Sequence, residues 1–403
     1  MKFEKIAELI DKRITGEWGQ EPVSSGVKVI KTTNFTNEGK LDLSNVVERD
    51  IEAKKIEKKS LQKGDIIIEK SGGGPTQPVG RVVYFDIASD EKYLCNNFTT
   101  ILRPKLNLVD SKYLLYQMLY LHKSGRTKRY QNKTTGIHNL NLEKYLQEKI
   151  PLPPLPVQLH IANILSKAEN LIAQRKESIR LLDEFLKSTF LEMFGDPVRN
   201  EKGWDKVILR EVCKKIGSGL TPRGGKESYH KEGISLIRSL NVHNDQFVYK
   251  DLACIDEKQA HELRNVIIEE NDVLLNITGA SVARCCIVPK EILPARVNQH
   301  VSIIRPDANN LNPRFLSRMF TCESYQLKLV KDAKSKGATR EAITKKEIEL
   351  MKVIAPPIEL QNQFAQIVEK TEALKSQYQQ SLQELENLYG SLSQKAFRGE
   401  LTK

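Results

Sequence analysis

Apolar residues recur at seven-residue spacing over two long stretches of the chain, one beginning after Pro156 and the other after Pro357. In the first, Leu165, Ile172, Ile179, Leu186 and Met193 fall on one row and Ile161, Ala168 and Leu182 on another, interrupted by Arg175 and Thr189. These rows are the a and d positions of a heptad. In the second, Phe364, Tyr378, Leu385 and Leu392 form one row beside Val368, Leu382 and Tyr389, with Ile367, Leu374 and Leu388 widening the stripe. Each stretch predicts a helix of about 35 to 40 residues, roughly 50 to 60 Å long at 1.5 Å per residue. The prolines suit a first helical turn, where the missing N–H costs nothing. Gly195-Asp196-Pro197 and Gly399 mark the two ends.

Neither stripe can remain in water. A domain of about 150 residues is only some 35 to 40 Å across and cannot cover so long a helix. The helices are therefore expected to pair with each other, through Leu165, Ile172, Ile179, Leu182 and Leu186 on one and Val368, Leu374, Leu382, Leu385 and Leu392 on the other. The chain between them links the end of the first to the start of the second, and antiparallel packing brings those ends together.

Shorter apolar runs between turn signals predict strands near residues 28–31, 65–69, 81–85 and 99–102, and a helix over about 111–122. The same order of elements then returns about 203 to 207 residues later, too long a period for a solenoid repeat. The stretch 26–34 matches 233–241. Gly64-Asp65-Ile-Ile-Ile answers Asn271-Asp272-Val-Leu-Leu, with Gly72 facing Gly279. Asn96 through Arg103-Pro104 answers Asn298 through Arg305-Pro306, and Pro153-Pro154-Leu-Pro-Val-Gln158 answers Pro356-Pro357-Ile-Glu-Leu-Gln361. The expected architecture is a duplicated α/β (α+β) domain, related by a pseudo-two-fold. A globular domain over 1–150 precedes a long helix over 151–197, and a second domain over 198–354 precedes the helix over 355–403.

At 403 residues such a chain is long enough for two real cores. No apolar run approaches the roughly 20 residues of a membrane span, and the start lacks a signal-peptide core, so a soluble, cytoplasmic protein is expected. The six cysteines have no metal-ligand spacing. Cys285-Cys286 lies in an apolar run over 282–288 that reads as a buried strand, and reduced thiols are expected. The formal net charge of +12 favours a polyanionic partner, because each phosphate neutralised by Lys or Arg releases condensed counterions.

Glycine-rich and basic loops interrupt both halves, and a purely structural domain has little use for them. Ser71 and Thr76 lie in or beside Gly72-Gly73-Gly74. Thr221, Arg223 and Lys226 follow Gly217 and Gly219. Arg126, Lys128, Arg129, Lys133 and Thr134 form one basic segment, and Lys334, Lys336 and Arg340 another, at corresponding places before each proline block. Arg and Lys suit phosphates and guanine edges, and Ser and Thr suit phosphate oxygens. A solvated turn is the plainer alternative.

Catalytic signals are poor. Gly224-Gly225-Lys226-Glu227 ends like a phosphate loop, but its glycine spacing is wrong and Glu227 stands where Ser or Thr would meet magnesium. The seven histidines show neither metal spacing nor a nucleophile partner pattern. Pro153-Pro154 and Pro356-Pro357 lack the Asn or Asp before and the aromatic after that amino-methyl transfer requires. No catalytic, cofactor-binding or metal-binding residue is read from this chain.

The duplicated proline-block helices over 152–196 and 355–400, each preceded by a divergent domain, resemble the specificity subunit of type I restriction-modification enzymes, and the resemblance spans the whole chain. It implies a non-catalytic subunit with two target-recognition domains, each reading half of a split sequence on double-stranded DNA. It further implies two methyltransferase subunits docking on the helices and domains, and an endonuclease/translocase subunit. S-adenosylmethionine and ATP would bind those partners. Recognition domains of this family diverge widely, so the DNA-contacting candidates remain those chosen above. A coiled-coil scaffold without sequence-specific DNA binding is the alternative.

Overall fold

A computed structural model of the chain describes residues 2–74, 77–134, 137–221, 225–334, 342–398 and 400, with the side chains of Lys133, Thr134, Ile137 and Lys226 outside that description. It divides into two compact units, Met1–Lys176 with Ser381–Lys403, and Glu177–Gln380. Each long helix is thus shared between the two units.

The first unit holds strands β1 (Phe3–Lys5), β2 (Ile10–Thr15), β3 (Val27–Ile30), β4 (Val47–Arg49), β5 (Ile66–Glu69), β6 (Ser71–Gly73), β7 (Val82–Tyr84), β8 (Tyr93–Cys95), β9 (Thr99–Pro104), β10 (Gln131–Thr134), β11 (Ile137–Leu140) and β12 (Lys149–Pro151). Its helices are α1 (Ala53–Lys59), α2 (Ser111–Lys123), α3 (Leu142–Tyr145) and part of α4 (Leu155–Phe194). The second unit holds β13 (Lys206–Ile208), β14 (Cys213–Ser218), β15 (Ile234–Ile237), β16 (Val242–His243), β17 (Gln246–Phe247), β18 (Ala253–Ile255), β19 (Val273–Asn276), β20 (Cys285–Ile287), β21 (Ala295–Val297), β22 (Val301–Pro306) and β23 (Lys352–Ile354). Its helices are α5 (Glu257–Glu262), α6 (Pro313–Thr321), α7 (Glu323–Lys334), α8 (Lys345–Glu349) and part of α9 (Ile358–Arg398).

Three sheets of the first unit return in the second, whereas β10-β11-β6 belongs to the first unit and β16-β17 to the second. The sheet order β2-β9-β5-β7 returns as β14-β22-β19-β20, β4-β3-β8 as β18-β15-β21, and β1-β12 as β13-β23. A parallel pairing is kept as well, β3 with β8 and β15 with β21. Alternation along a strand explains why β5 and β19 are buried on both faces. Ile66 and Ile68 point into the cluster lined by α2, while Ile67 points into the one beneath β3 and β8. Val273 and Leu275 divide from Leu274 in the same way.

Two repeated motifs acquire physical meaning. Asp65, buried at the head of β5, receives both Arg103 nitrogens at 2.8 Å, and Asp272 receives Arg305 at 2.7 and 2.8 Å. These charge-assisted forks account for the repeated Asp-apolar and Arg-Pro segments. Gln158 ends the first proline block fully buried. Its Oε1 accepts the Asp110 amide at 2.9 Å, while its Nε2 donates to Pro153 O and Leu108 O. Gln361 does the same for the Asn312 amide, Pro356 O and Asn310 O. Asp110 and Asn312 are themselves the N-caps of α2 and α6, so each glutamine ties the start of a long helix to the start of a domain helix.

The long helices run antiparallel to each other, as each unit shows separately. In the first, Tyr389 Oη donates to Glu169 at 2.8 Å, Lys176 pairs with Glu386 at 2.9 Å, and Ile161 and Leu165 share a cluster with Ala396 and Phe397. In the second, Lys375 meets Asp183 at 2.5 Å, and the Phe364 ring lies 5.5 Å from both Phe190 and Phe194. Of the expected seam, Leu165, Leu186 and Val368 are buried, and Ile172, Ile179, Leu182, Leu385, Leu382 and Leu392 are half-buried. Leu374 and Leu388, assigned to the stripe, instead stand 37% and 52% exposed. A straight helix drifts about 20° per heptad from a 3.5-residue repeat, which carries the buried face of α4 from the Leu165 row to Phe190 and Phe194.

All six cysteines are free, with Cys285 and Cys286 buried in β20. Among the described residues no helix is long and apolar enough to cross a membrane.

Candidate nucleic-acid interface

In the first unit the glycine-rich and basic segments meet in one small sheet of order β10-β11-β6. Asn139 of β11 faces Asn132 on one side and Ser71 on the other. The expected loops are therefore ordered strands, because their backbone groups pair with each other although the side chains lack strand character. Gly125, at φ +75°, turns the chain out of α2 into a 3-10 turn over Arg126–Tyr130. Thr127 is buried there beneath Gly80 and beside His122 Nδ1 at 3.3 Å, while Arg126, Lys128 and Arg129 point outward. Among the described residues no carboxylate pairs with those three cations. Lys133 and Thr134 sit on β10, their side chains undescribed, and Thr76 lies outside the described residues.

His122 records the charge of this corner. Burial, and then the nearby Arg81, Lys123 and Lys128, push its pKa down from 6.5 to about 4. A histidine held neutral in the fold but free to protonate when unfolded stabilises fully above about pH 6.5 and loses that contribution as pH falls towards 4. The melting temperature of His122→Gln is accordingly expected to fall less than that of the wild type between pH 7 and pH 5. Parallel pH profiles would contradict the assignment.

In the second unit Thr221 is exposed and donates to Gln299 Oε1. Gln299 Nε2 lies 3.2 Å from His300 Nε2, and Thr278 Oγ1 lies 2.6 Å from His300 Nδ1. Thr278 also bridges to Ala342, two residues beyond Arg340 in sequence. Lys334 is not in a loop but closes α7, exposed. Lys226 lies in a 3-10 turn over Gly225–Ser228 with its side chain undescribed. Arg223, Lys336 and Arg340 lie outside the described residues.

The repeat shows which surface positions correspond. The Phe98 carbonyl accepts the Lys70 and Ser71 amides at 2.7 and 3.2 Å, just as the His300 carbonyl accepts the Ile277 amide at 3.0 Å. Phe98 and His300 therefore hold one place, and Phe98 is 48% exposed there. Ser71 likewise corresponds to Thr278. Gly16 and Gly219 correspond as well, and an added Cβ would lie 1.8 Å from Asn96 O just after β8 and 1.8 Å from Val297 O at the end of β21. Two residues on stand Trp18, stacked under Arg49 at 4.3 Å, and Thr221. Sequence reasoning passed over Phe98, Gln299 and His300. Their signal was available in the aligned repeats, as a frame that is kept around a side chain that is not.

The model of the type I restriction modification DNA specificity domain matches the chain twice, over residues 5–181 and 201–387. The chain belongs to the type I restriction-modification specificity family. A putative type I restriction enzyme MjaX specificity subunit from Methanocaldococcus jannaschii is 23% identical over 381 residues, covering 90% of this chain and 84% of that protein. The EcoKI specificity subunit from Escherichia coli K12 is 25% identical over 410 residues, covering 93% and 82%. Among solved structures, the S subunit of a type I restriction-modification system from M. genitalium superposes with a TM-score of 0.61 at 15% identity, covering 98% of this chain and 96% of that one. A chain from a study of complex assembly and conformational transition of the type I R-M system gives 0.54 at 18% identity, covering 99% and 98%. The fold shared with these structures is the duplicated one described above, and the chain is a specificity subunit that recognises DNA targets for its restriction-modification system.

Proposed function

We propose that this specificity subunit is non-catalytic and reads a split, asymmetric DNA target, one block through each domain. The domain over 1–150 reads the first block and that over 198–354 the second, while the helices over 151–197 and 355–403 join them. The observation that carries this reading is the pairing of an unchanged frame with changed surface side chains. Phe98 answers His300, Ser71 answers Thr278 and Trp18 answers Thr221. An exposed phenyl ring suits a thymine methyl group, whereas histidine, glutamine and threonine suit hydrogen-bonding base edges. Two readers of one shape and different chemistry call for two blocks of different sequence.

Ser71, Arg126, Lys128, Arg129, Lys133 and Thr134, with Thr76, are the proposed contacts of the first domain. Thr221, Arg223, Lys226, Lys334, Lys336 and Arg340 are those of the second. The surplus of 63 Lys and Arg over 51 Asp and Glu supports a duplex partner. Two methyltransferase subunits are the proposed protein partners on the helices. Leu181, Phe185 and Leu191 on the second unit's part of α4, and Leu159 and Leu171 on the first unit's part, stay about half exposed and support that role. An endonuclease/translocase subunit completes the assembly, in the cytoplasm, with S-adenosylmethionine and ATP bound by the partners.

Methylation mapping of DNA from cells carrying the chain with its methyltransferase partner tests this reading. The expected motif is two short, dissimilar blocks separated by unread base pairs, their centres set by the 10 to 10.5 base pairs of a helical turn. A continuous motif would contradict it.

A further inference from the structure

At one buried place the two units solve the same problem with different residues, and the difference frees a charge. In the first unit Glu69, 2% exposed, holds Arg81 through a fork of 3.0 and 2.8 Å. The same guanidinium donates to Phe35 O at 3.3 Å and Thr32 O at 3.1 Å, closing the 3-10 turn over Thr32–Asn34. Arg81 is thus wholly committed to the fold.

In the second unit the backbone frame is unchanged. Glu69 N donates to Arg81 O at 2.9 Å, and Asn276 N donates to Arg284 O at 2.8 Å, so Asn276 stands for Glu69 and Arg284 for Arg81. The carboxylate is gone. Asn276 Nδ2 itself donates to Ser239 O at 2.8 Å and Val242 O at 3.3 Å, the carbonyls that correspond to Thr32 O and Phe35 O. A short amide has taken over both backbone acceptors, and its own Oδ1 receives no donor. Among the described residues neither a carboxylate nor a carbonyl meets the half-buried Arg284 guanidinium.

Leaving a cation partly desolvated and unpaired is costly unless a ligand completes it. Arg284 also stands at the base of the β19–β20 connection, whose Thr278 belongs to the polar network with His300 and bridges to Ala342. We propose that Arg284 is a DNA-binding residue of the second domain that takes a backbone phosphate, whereas its counterpart Arg81 is structural. The inference rests on the DNA-reading function above. It predicts that one substitution at a buried neighbour, Asn276→Glu, would capture Arg284 and withdraw it from DNA.

The test uses the assembled complex with its methyltransferase subunits and a duplex carrying the mapped target. Arg284→Ala is expected to weaken binding about fivefold at 0.15 M salt and to reduce the slope of log affinity against log salt by about 0.9, as one lost phosphate contact requires, with melting unchanged. Asn276→Glu should weaken binding equally without lowering the melting temperature, and adding Arg284→Ala to it should change binding no further. Wild-type affinity and slope in Arg284→Ala would overturn the proposal. So would a loss confined to one base pair of the target with an unaltered slope, or a clear drop in melting. Absence of sequence-specific binding by the wild-type complex would overturn the function on which the proposal rests.

Discussion

Replacement of Phe364 by alanine is expected to destabilise the second unit by about 3 to 5 kcal/mol, the range for deleting a fully buried phenyl ring. The effect should fall at the upper end because Phe364 is wholly buried at the start of α9 and its ring sits 5.5 Å from both Phe190 and Phe194 of α4. Phe315 of α6 stacks on Phe190 at 5.7 Å and meets Phe194 edge-on at 4.7 Å. One truncation therefore opens a cavity where both long helices meet the domain. Denaturant unfolding of the chain measures the loss, and assembly with the methyltransferase subunits should fail in parallel. Phe364→Leu should recover most of the stability. A loss below about 1 kcal/mol would mean that this aromatic group does not hold the helix ends.

Simultaneous replacement of Arg126, Lys128 and Arg129 by alanine is expected to weaken DNA binding about a hundredfold at 0.15 M salt, and to lower the salt slope by nearly 3, if each cation meets one phosphate. Stability should hardly change, because these side chains are exposed and no carboxylate pairs with them among the described residues. The anchor of the segment, Thr127, remains buried under Gly80 in the variant. An unaltered slope would show that the turn faces away from DNA.

The frame of this protein was legible in its sequence, and the geometry of its proposed reading surface largely was not. Heptad and alternating patterns are imposed by burial, so the long helices and strands such as Ile66–Glu69 and Thr99–Pro104 were readable as apolar periodicity. The repeated Asp and Arg-Pro segments were visible as a pattern, but only coordinates reveal the Asp65–Arg103 and Asp272–Arg305 forks behind it. Gln131–Thr134 contains no apolar residue and read as a loop, yet β11 supplies it with a ladder partner. Lys334, read as a loop residue, belongs to α7 because Tyr325, Leu329 and Ala333 bury its apolar side. Phe98 and His300 looked ordinary alone and become informative only when the matching amide contacts place them at one position. Leu374, expected to widen the stripe, stands 37% exposed on α9, where the apolar face of a straight helix drifts away from a seven-residue repeat.

The central claim is that two separate readers share one chain, and exchanging one of them tests it most directly. Residues 1–150 are replaced by the matching segment of a relative with a different target, the chimaera is expressed with the methyltransferase partner, and the methylated sites are mapped. One block of the motif should change to that of the donor while the other block stays as it was. A motif altered in both blocks, or in neither, would contradict the account.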